Sequence, residues 1–170
     1  LKVLLARTHK THPSQLRNVL NRNTSFAFPQ GPLLAGACSN GKVAAADILL
    51  RYGADANKQC PSGSTALHLA CYNGKVDCVK LLLGLPGSLR GPMMETAPGQ
   101  EAHPPSAASP RVTPPCGTNA LIHACRGTDE AAAVEIADAL LKADPTLVLS
   151  SAEGALALHA ASASGFPRVL

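Results

Sequence analysis

Tryptophan is absent, and three Phe and two Tyr are the only aromatic residues in 170. A core of stacked rings is therefore excluded. Hydrophobic residues still make up 46% of the chain, mostly Ala and Leu, which suits small, closely packed helices. No acidic residue precedes Asp47, whereas Lys2, Arg7, Lys10, Arg17, Arg22 and Lys42 all lie in that stretch. The formal charge of +4 is thus concentrated at one end. These charges are scattered and have no aromatic residues interleaved, so they read as a solvated cap. Nucleic-acid binding is the weaker reading, and it requires steeply salt-dependent affinity. No apolar run is long enough to span a bilayer, so membrane insertion is not expected. The chain has no initiator Met and stops at Leu170 inside an apparent repeat, so we expect it to be part of a longer chain. The lack of a signal peptide then says little.

Chemical signatures are also missing. The six cysteines are Cys38, Cys60, Cys71, Cys78, Cys116 and Cys125. They form no C-x-x-C pair, which argues against a zinc ribbon or a thioredoxin-like site. His9 and His12 have no Cys or carboxylate nearby and read as surface residues, so no metal site is expected. The phosphate-binding loop, the nucleophile elbow and the H-E-x-x-H pattern do not occur. No Ser or Cys is paired with a base. We expect no enzymatic activity and no cofactor. Asn23-Thr24-Ser25 is a glycosylation triplet, but such triplets arise often by chance.

What is present is a repeat. Thr65 to Leu83, TALHLACYNGKVDCVKLLL, reads as two short helices joined by a tight turn. Thr65 is a good N-cap. Leu67, Leu69 and Ala70 give the first helix an apolar face, and Gly74 can take the left-handed conformation that ends it. Val76, Val79, Leu82 and Leu83 recur at helical spacing in the second helix. Two helices this short need neighbours of the same kind. Ala37-Cys38-Ser39-Asn40-Gly41-Lys42 matches Ala70-Cys71-Tyr72-Asn73-Gly74-Lys75 at an offset of 33 residues, and Leu49-Leu50 matches Leu82-Leu83. Between the units lie Gly53-Ala54-Asp55-Ala56-Asn57 and a polar turn from Lys58 to Gly63.

The pattern resembles the ankyrin repeat. That family's unit reads threonine-proline-leucine-histidine-leucine-alanine, a glycine turn, a paired-leucine helix and then glycine-alanine-aspartate-x-asparagine. Thr65, Leu67, His68, Leu69, Ala70, Gly74, Leu82 and Leu83 match it, as do Gly53, Ala54, Asp55 and Asn57. Ala66 stands in place of the proline. The resemblance implies an all-α solenoid of helix-turn-helix units with hairpin loops, in a single domain of about five repeats over 1–170.

Residues 1–23 read as a degenerate first repeat, with Pro13 in a first helical turn and Asn23 as a left-handed helix end. Phe26 and Phe28 alternate in the hairpin position that follows. Repeat two spans 31–56, with helices at Leu34–Asn40 and Val43–Tyr52, and repeat three spans 57–83. Residues 84–116 are rich in Pro, Gly, Ser and Ala and read as an insertion. Leu67 and Leu121 are 54 residues apart, an excess of 21 over the regular spacing. Ser109-Pro110 and Thr113-Pro114 in this stretch are two-residue signals for proline-directed phosphorylation, and Met93-Met94 could touch a partner. Repeat four covers 117–145, with an outer helix over 129–142 that Asp129 or Thr128 can cap and Asp144-Pro145 ends. Ile122 takes the place of His68 there, so the family's threonine–histidine bonding is in doubt. Repeat five covers 154–170 and lies 37 residues after repeat four, so the loop Thr146–Gly154 or the longer outer helix holds four extra residues. Pro167 opens its second helix.

Cys38, Cys71 and Cys125 fall at one position of three repeats, where a small apolar thiol packs well. They point to a reducing compartment, cytoplasmic or nuclear. By resemblance, His68 and His159 hold the turn between hairpin and helix. The resemblance also implies protein recognition through a concave groove. Carried over by position, its partner-binding residues are Gln59, Pro61, Ser62 and Ser64 at the hairpin tip, and Tyr72 and Asn73 on the inner helix. Ser39 and Asn40 precede them, and Arg126 follows. Tyr72 has the rigid, amphipathic character of a binding hot spot. The expected function is that of a non-enzymatic adaptor or scaffold. The alternative is a regulatory or substrate-receptor module of a larger enzyme, such as a kinase or a ubiquitin ligase. Ankyrin proteins with a SOCS box are an instance, although no such box lies in these residues.

Overall fold

Small residues and left-handed glycines shape the architecture. The computed structural model describes residues 2–11, 13–23, 31–85, 108–110, 118–127, 129–148 and 151–165. The expectations for His12, Phe26, Phe28, Met93-Met94, Thr113-Pro114, Thr128 and Pro167 lie outside these residues. Helices come in pairs: α1 (Lys2–Thr11) with α2 (Pro13–Leu20), α3 (Leu33–Ser39) with α4 (Val43–Arg51), α5 (Ala66–Tyr72) with α6 (Val76–Leu83), and α7 (Ala120–Cys125) with α8 (Glu130–Ala143). A 3-10 turn at Pro145–Val148 leads to α9 (Ser151–Ser164). The inner helices α3, α5, α7 and α9 stand side by side, as do the outer helices α4, α6 and α8.

Gly41 and Gly74 make the turn within a pair possible. Their φ angles are +66° and +63°, a region closed to most side chains. The chain reverses there in two residues, and the short inner helix folds back against its longer partner. Leu34, Leu67 and Leu121 are buried on the inner helices, and Leu49, Leu82 and Leu140 on the outer ones. They belong to one continuous apolar core. Ala46, Ala70 and Ala120 are fully enclosed, which explains how a chain so poor in aromatics packs densely.

Cys38, Cys71 and Cys125 are buried at matching positions. Burial pushes the Cys71 thiol far above its ordinary range, as expected of a thiol that acts as a small apolar group. Cys38 and Cys78 also meet, linking α3 to α6. Their side-chain hydrogen bond raises the Cys38 thiol and lowers that of Cys78. Sequence spacing held no sign of that contact.

Three boundaries differ from the sequence expectation. Asn23 is not left-handed, since no described residue other than glycine has a positive φ. The neighbouring Asn21 makes the link instead, its Oδ1 accepting the Asp55 N–H at 2.8 Å. The loop placed at Thr146–Gly154 is largely helical, because the 3-10 turn and the start of α9 occupy it. The stack also keeps more of the 84–116 stretch than composition implied. Gly84, left-handed at φ +68°, caps α6. Ala108 is buried, and its N–H donates to Leu82 O at 2.9 Å, as Ala54 N–H donates to Leu49 O at 3.0 Å.

That equivalence yields a prediction. Removing residues 86–106, with Ala107→Gly to supply the glycine found at Gly53, restores the Leu49–Ala54 spacing between Leu82 and Ala108. Loop-closure cost changes slowly with length, by about 0.6 kcal/mol per doubling. Thermal unfolding followed by circular dichroism should show a midpoint equal to the parent's or slightly higher. A large loss would mean that the removed residues contribute to the fold.

Candidate functional site

The site begins with the way the inner helices are started. Thr65 precedes α5 in an extended conformation and forms a reciprocal capping box with His68. The His68 Nδ1 accepts the Thr65 N–H at 3.2 Å and lies 2.8 Å from the Thr65 Oγ1. Both residues are buried. This is the turn-holding role that the resemblance implied for His68.

The next unit solves the same problem with other residues. Asn119, also buried, caps α7 by accepting the Ile122 N–H on its Oδ1 at 3.0 Å. Ile122 is therefore free to be apolar. The histidine one place on, His123, points along the stack. Its Nε2 is 3.1 Å from Thr118 Oγ1, and its ring stands edge-on to His68 at 5.1 Å and to Tyr72 at 6.4 Å. Sequence reasoning saw the displaced histidine but not this contact, which joins two units.

His123 also gives the protein a pH response. Burial, then the charge of Arg126, push its pKa below the ordinary histidine value. The unfolded chain therefore binds a proton more readily than the folded one. The stability contributed is fully present above the unfolded pKa of about 6.5 and is lost as pH falls through the folded pKa. His123→Gln should lose less stability than the parent between pH 7 and pH 5 in urea unfolding. Parallel pH profiles for the two would show that His123 does not titrate on unfolding.

His159 does not hold a turn. Because α9 starts at Ser151, His159 lies well inside the helix and is exposed. It helps to line an open cleft of about 450 Å³ across the inner helices, formed by Tyr72 on α5, Thr118, Ile122 and Arg126 around α7, and Leu156, His159, Ala160, Ala163 and Ser164 on α9. Tyr72 is 46% exposed and Leu156 49%. Among the described residues of the lining, none is acidic.

The other expected residues divide into two groups. Gln59, Pro61 and Ser62 are exposed at the hairpin tip, and Ser64 is half-buried behind them. The tip is closed by Cys60 N–H to Ser64 O and by Gly63 N–H to Cys60 O, each at 2.8 Å. It packs tightly on Gly31, where a Cβ would stand 2.5 Å from the Cys60 Sγ. Asn40 and Asn73 spend donors on their own helices, their Nδ2 groups bonding to Gly36 O and Leu69 O at 2.8 Å each. Asn73 also donates to Ser39 Oγ at 3.2 Å. The cleft thus gathers Tyr72 and Arg126 but none of the tip residues. Thr118, Ile122, Leu156 and His159 were missed as lining residues. In α9, apolar Leu156 and Leu158 are both exposed, so its sequence gives no signal of which face is outward.

A family model for ankyrin repeats, in three copies, matches residues 4–91. The chain belongs to the ankyrin-repeat family. Ankyrin repeats are generally protein–protein interaction modules. The match includes the α1/α2 pair, whose sequence is the most divergent of the three units covered. No curated protein matches the chain. Among the described residues, no helix is long and apolar enough to cross a membrane, and no cluster of His, Cys, Asp or Glu is arranged to hold a metal ion.

Proposed function

We propose that this ankyrin-repeat chain is a non-enzymatic adaptor or scaffold that takes up a segment of a protein partner across its inner helices, the five units acting as one domain. The observation that carries this reading is the open cleft over α5, α7 and α9, with Tyr72 and Arg126 on its rim. Its described residues pair a half-exposed ring and aliphatic side chains with one cation, Arg126, and no acid. It therefore suits an extended segment that combines apolar and acidic residues. The hairpin tip, with Gln59, Pro61, Ser62 and Ser64, adds a second contact area beside it. Ser39, Asn40 and Asn73 are assigned to the rim of the same surface.

Among the described residues, Cys38, Cys60, Cys71, Cys78 and Cys125 are free, buried thiols, which supports a reducing compartment, the cytoplasm or the nucleus. The test is partner capture with the parent chain, Tyr72→Ala and Arg126→Ala, after circular dichroism has shown equal folding. Partners lost from both variants are the expected result. Identical partner lists would remove the groove from consideration.

A further inference from the structure

The hydrogen bonds that close successive units put Ser109 where the preceding unit has an acid. Ala54 N–H donates to Leu49 O, and Ala108 N–H donates to Leu82 O, the leucine 33 residues further on. The following residues repeat the correspondence. Asp55 N–H donates to the side-chain oxygen of Asn21, and Ser109 N–H to that of Asn57, each at 2.8 Å. Ser109 is therefore the counterpart of Asp55. The Asp55 carboxylate accepts the Asn57 N–H at 2.9 Å, closing the turn two residues on. A serine hydroxyl can make the same kind of turn, but more weakly. Ser109 is half-exposed and is followed directly by Pro110.

We propose that Ser109 is a phosphorylation site for a proline-directed kinase, and that its phosphate takes over the anionic role that Asp55 plays one unit earlier. In the transfer, a bond forms between Ser109 Oγ and the γ-phosphorus of ATP as the bond to the bridging oxygen breaks. The hydroxyl proton passes to the base of the kinase, and ADP leaves. A phosphoserine carries about −1.5 to −2 charges and three strong acceptor oxygens. It stands at the junction between the α5/α6 and α7/α8 pairs, the two units that hold Tyr72 and Arg126. Phosphorylation closes the turn at Ser109 more firmly, as the Asp55 carboxylate does in its own turn.

The whole chain is incubated with a proline-directed kinase and ATP, phosphate is mapped by mass spectrometry, and the unfolding midpoint is read by circular dichroism. Phosphate at Ser109, absent from Pro110→Ala, is expected, with a midpoint raised by about 2 °C. A chain left unmodified at Ser109 overturns the site, whether phosphate goes to Thr113 or nowhere. A midpoint that is unchanged or lowered by phosphate overturns the stabilising role. Ser109→Asp installs the residue of the preceding unit and is the second measurement. A raised midpoint supports the correspondence with Asp55; an unchanged or lowered one overturns it.

Discussion

His68→Ala is expected to destabilise the chain by about 3–4 kcal/mol, read as a lower midpoint in urea unfolding. The imidazole is fully enclosed, so truncation leaves a cavity that the short α5 helix cannot collapse to fill. It also removes the acceptor for the Thr65 N–H and the partner of the Thr65 hydroxyl. Thr65 is itself buried, and water cannot readily replace what is lost. The edge-on contact with His123 at 5.1 Å goes as well, so amide exchange in α7 should rise together with that in α5. In a stack of units, each is held by its neighbours. His68→Gln keeps an acceptor at the capping-box position and should recover about half of the loss. If alanine costs less than about 1 kcal/mol, the ring does not hold the turn.

Tyr72→Ala combined with Arg126→Ala should weaken partner binding by about 100-fold, with each single change costing about 20-fold to 30-fold. Both side chains are exposed and line one cleft, so their effects are expected to depart from additivity. Lys142→Ala on the outer helix α8, exposed and outside the cleft, should change affinity by about twofold or less. Surface truncations of this kind leave stability within about 0.5 kcal/mol in most cases. Tyr72 gives up its contact with His123 and should cost slightly more than Arg126. The measurement is titration of the captured partner against each variant. Equal affinity for the parent and the double variant would refute the cleft.

Much of the fold was legible because the unit is local. Thr65, Gly74 and the Leu82-Leu83 pair act over a few residues, and the offset of 33 then repeats their effect along the chain. Burial of Leu34, Leu67, Leu121 and the aligned cysteines follows from that register. Tyr72 and Arg126 were legible as surface positions because the periodicity that buries Ala70 and Ala124 leaves them outside. Pattern failed where one position has two physical solutions. Ile122 in place of His68 put the cap of α7 in doubt, and only the structure shows Asn119 taking over that task. His159 matched the histidine position by count, yet α9 extends back to Ser151 and carries it clear of any turn.

Sequence alone determined the helix pairs, the register of the repeats and the apolar faces, because these follow from propensity and spacing over one or two turns of chain. Tertiary structure decided which distant residues meet. The Cys38–Cys78 pair, the His68–His123–Tyr72 contact and the return of Ala108 and Ser109 onto Leu82 and Asn57 each join positions from different units or across the insertion. Such contacts depend on how far neighbouring units rotate and rise in the stack. That geometry is set by the packing of whole helix faces, and no short stretch of sequence encodes it.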